Sequence, residues 1–206
     1  MRRVLESYLS GFCEDWEIDH IDEDEQFEVF VNYCVVARHC PTRFDPKDLT
    51  TDGSEVGIDG AAVLIGDEIV ISEEEAEERL QNRRKGVDVH YIFTQSKNSN
   101  SFSRKDILNF GDAVVDLISK ESRMNQSEWL EEISDINDKV IENADKIKGG
   151  IPKCSLFYAT TENRQKRKSD VLESTIRNVE DDIEETKIFG EVQFVPTGFD
   201  KIRKYY

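Results

Sequence analysis

Between Gly57 and Lys97 the chain makes a demand that only a sheet can meet. Gly57-Ile58-Asp59-Gly60-Ala61-Ala62-Val63-Leu64-Ile65 is followed by Gly66-Asp67, then Glu68-Ile69-Val70-Ile71. After a charged interruption comes Val87-Asp88-Val89-His90-Tyr91-Ile92-Phe93-Thr94-Gln95-Ser96-Lys97. Short apolar, β-branched and aromatic runs bounded by turn residues read as strands, and Gly66-Asp67 falls where a tight hairpin turn is required. Residues two apart on a strand share a face, so Gln95 and Lys97 project together from the polar end of an apolar strand. Asp59 interrupts another apolar strand expected to lie nearby. A carboxylate, an amide oxygen and an ammonium are thus expected to converge at one sheet edge, a setting suited to a divalent cation and an activated water.

The flanking segments read mostly as helices. Val4, Leu5, Tyr8, Leu9 and Phe12 recur at helical spacing, and Phe27, Phe30, Val31, Cys34 and Val35 make a stripe over residues 26–38. Between them residues 14–25 are dense in acids, expected as a solvated loop leading into a helix start. Ser72 and Glu75 open a helix closed by Arg83-Arg84-Lys85; with only Ala76 and Leu80 apolar, it is expected to be exposed. Ser103 and Ser127 cap two further helices. Lys153 to Thr160 reads as a strand, the segment from Ser169 as a helix with near-heptad packing positions, Glu191 to Val195 as a last strand and Phe199 to Tyr206 as a terminal helix. Alternating elements of this kind predict an α/β sheet with helices on its faces.

Composition sets the outer bounds. Two hundred and six residues suit one domain with an elaboration. No apolar run is long enough for a membrane span, and the amino terminus is too polar beyond Leu5 for a secretory signal, so the expectation is a soluble cytoplasmic protein. Cys13, Cys34, Cys40 and Cys154 show no paired spacing and read as free thiols; His39-Cys40 has no second pair at ligand spacing and is not expected to hold metal. Asp48 and Asp52 lie in the loop before the first strand and could approach the site, though acids in turns are common. The net charge of −17 opposes unaided binding to a polyanion, whose affinity comes mostly from phosphate neutralisation.

Gly57-Ile58-Asp59-Gly60, followed by a strand ending Gln95-Ser96-Lys97, resembles the PD-(D/E)xK nuclease core, closest to the Mrr-type variant in which glutamine replaces the acidic residue. The wider context, from Phe27 to Phe199-Asp200-Lys201-Ile202-Arg203, resembles the amino-terminal region of abortive-infection phage-resistance (AIPR) proteins. The resemblance implies a restriction-endonuclease-like mixed central sheet flanked by helices, with inserted helices and a carboxy-terminal helix-strand-helix extension. It places one nuclease-like domain over residues 1–206, its core at about 26–161 and the extension at about 162–206, with a longer parent protein as the expectation.

The resemblance further implies a Mg²⁺- or Mn²⁺-dependent endodeoxyribonuclease in anti-phage defence or restriction. Asp59, Gln95 and Lys97 would be catalytic. Asp59, Gln95 and, from the first core helix, Glu28 would hold the metal. Mg²⁺ prefers oxygen donors, so the neutral Gln95 amide would hold it more weakly than a carboxylate. Lys97 would orient and help deprotonate the water or stabilise phosphorane charge. Arg164, Lys166, Arg167 and Lys168, in the strongest basic cluster, are the candidate DNA contacts. Expected partners are DNA and a second copy of the chain, with neither membrane nor nucleotide cofactor. Set against this stands a catalytically silent assembly module of the same fold, favoured by the acidic surface, the neutral Gln95 and the near-heptad helix after Ser169. In that case Asp59 satisfies turn amides and Lys97 merely snorkels from a strand end.

Overall fold

A computed structural model describes residues 2–51, 57–82, 85–99, 101–119, 127–161 and 170–206. Helices α1 (Arg2–Trp16) and α2 (Glu23–Val36) precede the hairpin of β1 (Gly60–Ile65) and β2 (Glu68–Val70). Then come α3 (Glu73–Gln81), β3 (Val89–Lys97), α4 (Arg104–Ile118), α5 (Glu128–Glu142), β4 (Lys153–Thr160), α6 (Asp170–Glu185), β5 (Glu191–Thr197) and α7 (Phe199–Tyr205). The strands form one mixed sheet in the order β2-β1-β3-β4-β5. β1 pairs antiparallel with β2 and β3, whereas β3-β4 and β4-β5 are parallel.

Helices cover both faces because every central strand is apolar on both sides. Along β3, Val89, Tyr91 and Phe93 pack with residues of α3, α4, α5 and α6. Ile92, of opposite parity, packs with residues of α1, α2 and α7. Buried aromatics keep their hydroxyls partnered: Tyr91 donates to Asn137 and Tyr158 to Asp106. The serine caps form as their spacing predicts, Ser72 accepting from Glu75 N–H, Ser103 from Asp106 N–H and Ser127 from Leu130 N–H.

Two expectations need correction. β1 begins at Gly60, not Gly57, so Asp59 sits in the turn before the strand rather than on it. The segment is held from two sides: Thr51 N–H and Thr51 Oγ donate to Asp59 O and Ile58 O, and Asp59 N–H donates to Thr94 O. α3 is less exposed than expected, because Ala76 and Leu80 are fully buried in the cluster that includes α5. As its packing positions imply, the near-heptad stripe on α6 is met within the chain, with Val179 and Ile183 buried in the cluster that includes α4. There Gly111 lets the helices approach closely, since a Cβ would stand 2.7 Å from Val179.

Candidate functional site

The carboxy-terminal end of β3 is built by three elements. The turn before β1 delivers Asp59, whose N–H donates to Thr94 O at 2.9 Å. β3 delivers Gln95, Ser96 and Lys97. α2 crosses above, fixed by Asn32, whose amide donates to Thr50 Oγ and Asp59 O and whose carbonyl accepts from Thr94 Oγ. Gly60 is required here, because any Cβ would collide with the Asn32 carboxamide.

The arrangement brings Asp59 and Lys97 together. Lys97 Nζ lies 4.0 Å from Asp59 Oδ2, with the carboxylate nearly buried and the amine partly open to solvent. The same Oδ2 accepts from Ser96 N–H at 2.6 Å. A backbone donor and a cation together offset the cost of placing a carboxylate at 7% exposure. Gln95 is also buried, and its Oε1 has no hydrogen-bond partner among the described residues. A buried amide oxygen without a donor is costly, and it is the kind of acceptor a cation or water would satisfy.

Strand parity divides the candidates between two faces. Gln95 and Lys97 continue the Tyr91–Phe93 row, with Tyr158 opposite Gln95 in the β3-β4 register. Glu28, on α2, approaches from the opposite face. α2 runs antiparallel over β3: Asp24 accepts from Asn98 at 3.1 Å, Asn32 meets Thr94, and the His39 and His90 rings are 5.0 Å apart. Glu28 lies one turn before Asn32, between the Asp24–Asn98 and Asn32–Thr94 contacts, and Ser96 Oγ is likewise buried with no hydrogen-bond partner among the described residues. Burial first, and the charge of Asp59 second, push the Glu28 carboxyl up to about 7, against a smaller opposing pull from Lys97.

The side-chain oxygens gathered at this corner are those of Asp59 and Gln95, and Glu28 is near enough to feel the charges of Asp59 and Lys97. Among the described residues, no group of three or more His, Cys, Asp or Glu side chains is placed to hold a metal ion. The orphaned Gln95 oxygen fits an oxygen-preferring ion, and such an ion would keep several waters. Arg164, Lys166, Arg167, Lys168 and Asp52 lie outside the described residues. Asp48 is exposed in a 3-10 turn.

Sequence reasoning missed two features. Tyr158, beside Gln95, is fully buried, and its hydroxyl is raised by burial and by the nearby Asp106 and Asp59 charges. His90 pairs with Ser155 at 2.8 Å and with the ring of His39 at the other end of β3. Only the polar parity of β3 hinted at the first, and nothing in the spacing hinted at the second.

The fold is α/β, a five-stranded mixed sheet flanked by helices. No family model, no curated protein and no solved structure matches this chain. Among the described residues, no helix is long and apolar enough to cross a membrane.

Proposed function

We propose that the chain is a phosphodiester-hydrolysing domain of the restriction-endonuclease-like, PD-(D/E)xK kind, acting on DNA, with Asp59, Gln95 and Lys97 at its centre. It would serve phage defence in the manner of the AIPR proteins it resembles. The observation that carries this reading is the 4.0 Å approach of Lys97 Nζ to Asp59 Oδ2, two residues delivered by separate segments to one sheet edge.

Asp59 and the Gln95 amide oxygen would hold Mg²⁺ or Mn²⁺, with Glu28 contributing from the opposite face. When bound, such an ion would supply Lewis acidity and make water more acidic. Ser96 N–H holds the Asp59 carboxylate in one orientation. Lys97 presents a partly exposed ammonium beside that carboxylate, able to donate to a phosphate oxygen or to the attacking water. A net charge of −17 makes binding depend on a local basic surface.

The test is cleavage of supercoiled plasmid in Mg²⁺ or Mn²⁺. Lys97→Ala is expected to lower the rate by roughly 10²–10³-fold, the typical cost of removing one group that stabilises developing charge. Cleavage by the unaltered chain that survives this change undiminished would refute the assignment.

A second reading is favoured by one observation: Asp59 Oδ2 is already engaged by Ser96 N–H and Lys97. On that reading the corner is a structural ion pair in a silent assembly module. Calorimetry with Mn²⁺ separates the two, since a structural pair takes up no ion at Asp59.

A further inference from the structure

The amino-terminal end of β3 holds a cluster that the proposed hydrolysis does not use. His39 follows α2 in a turn fixed by two backbone bonds, His39 N–H and Cys40 N–H both donating to Val36 O. His90 projects from β3 on the α2 side, and its Nε2 lies 2.8 Å from Ser155 Oγ on β4. The two imidazole rings stand 5.0 Å apart between centroids, at 84°. Both are partly exposed, so the cluster opens to solvent.

We propose that His39 and His90 form a site for a borderline transition-metal ion, of the Zn²⁺, Ni²⁺ or Cu²⁺ class, held by two imidazoles and completed by water. The spacing supports it. An ion about 2.1 Å from an imidazole nitrogen lies roughly 3.2 Å from that ring's centre, so two rings sharing one ion tetrahedrally have centres about 5 Å apart. The hydrogen-bonding supports it too. His90 Nε2 and Ser155 Oγ are hydrogen-bonded; in the tautomer in which Nε2–H is the donor, the lone pair of His90 is on Nδ1 and available to an ion, and an outer partner that fixes a ligand's tautomer is what histidine metal sites use. Burial keeps both imidazoles neutral, the form that ligates.

The surrounding charges leave room for a cation. Lys153, the amine that acts on His90, is paired with Glu191 at 3.3 Å. Arg38 lies over the ring of Tyr205, 4.1 Å from its centre. Cys40 is buried with its thiol against Thr42 Oγ at 3.0 Å, so its sulfur is committed elsewhere. No third His, Cys, Asp or Glu among the described residues completes the set, so the remaining positions fall to water or an outside donor. Imidazole donors favour these ions over Mg²⁺, which separates this site from the oxygen-lined corner around Asp59.

The test is Ni²⁺ and Zn²⁺ titration of the full chain in excess Mg²⁺. One ion per chain is expected, weakened more than tenfold by His39→Ala and by His90→Ala, and about tenfold by Ser155→Ala. His20→Ala, which alters the third histidine of the chain, serves as the control and is expected to change nothing. Cu²⁺ electron paramagnetic resonance should show coupling to two nitrogens, reduced to one in His39→Gln, a milder change at a part-exposed position. Uptake insensitive to both histidine substitutions, or abolished instead by Asp59→Asn, would overturn the proposal.

Discussion

The two ends of β3 face the same problem and solve it differently. At one end Asp59 and Glu28 are carboxyls drawn into the protein; at the other His39 and His90 are imidazoles drawn in beneath the same helix. Burial favours the neutral form in both places, raising Glu28 and lowering the two histidines. The difference lies in what is offered to a charge. Asp59 receives a backbone N–H and the Lys97 ammonium, whereas His90 has the Ser155 hydroxyl and a pull from Glu191 that is outweighed by burial and by two further basic groups, His39 and Lys153. One end of the strand is thus built around a retained charge, the other around suppressed charge. On the proposed readings, the first would take a hard cation and a phosphate, and the second a borderline ion that prefers neutral nitrogen.

The largest way to break this comparison is Gly60→Ala. The added methyl would collide with the Asn32 carboxamide, the pin that holds α2 over the acidic end. A loss of about 3 kcal/mol is expected by chemical denaturation, the upper range for overpacking a tight contact. The Glu28 carboxyl should fall back toward ordinary values in carbon-detected NMR, while His90 stays near 4. Equal movement at both ends would mean that α2 shifts as one rod and that the ends are not independent.

The next effect tests the histidine end through pH. The His90 imidazole is lowered from 6.5 to about 4, first by burial and then by His39. Between those values the unfolded chain takes up a proton that the folded chain refuses. Stability is therefore lost as pH falls from about 6.5 towards 4, and the full contribution is present above that window. A lowering from 6.5 to about 4 sets a ceiling of about 3 kcal/mol, or about 2 once partial exposure is allowed for. His90→Gln should flatten that part of the stability profile; carboxylates titrating in the same range cancel in the difference between the two proteins.

Much of this architecture is legible in the chain. The limits of β4 follow from its apolar run, and three helix starts follow from Ser72, Ser103 and Ser127, because both signals are local. The meeting of Asp59 with Lys97 is also anticipated, since one hairpin and one returning strand leave few other arrangements. What the chain conceals is parity relative to the packing helix. Gln95 and Glu28 both read as candidates for one ion, yet they reach the corner from opposite faces, and which face α2 covers depends on contacts such as Asn32 with Thr94. The His39–His90 pair is hidden for the same reason: it exists only because a helix end and a strand start are laid side by side.

The smallest expected effect sharpens the acidic end. Glu28 is raised from 4.5 to about 7, so between these values the folded chain holds a proton that the unfolded chain has released. Stability contributed by the neutral carboxyl is present below about 4.5 and is lost as pH rises through 7. Glu28→Gln mimics the neutral form at every pH. It should therefore stabilise the protein by about 1 kcal/mol at pH 8, with the advantage shrinking to nothing below about pH 4.5. The discount from the full shift is large because the side chain is partly exposed. Added Mn²⁺ makes the result decisive for function. If Glu28 helps to hold an ion with Asp59, the ion should stabilise the unaltered chain more than the Glu28→Gln variant at pH 8 and reverse their order. If the two proteins gain equally, Glu28 stands apart from the cation and only Asp59 and Gln95 remain as its holders.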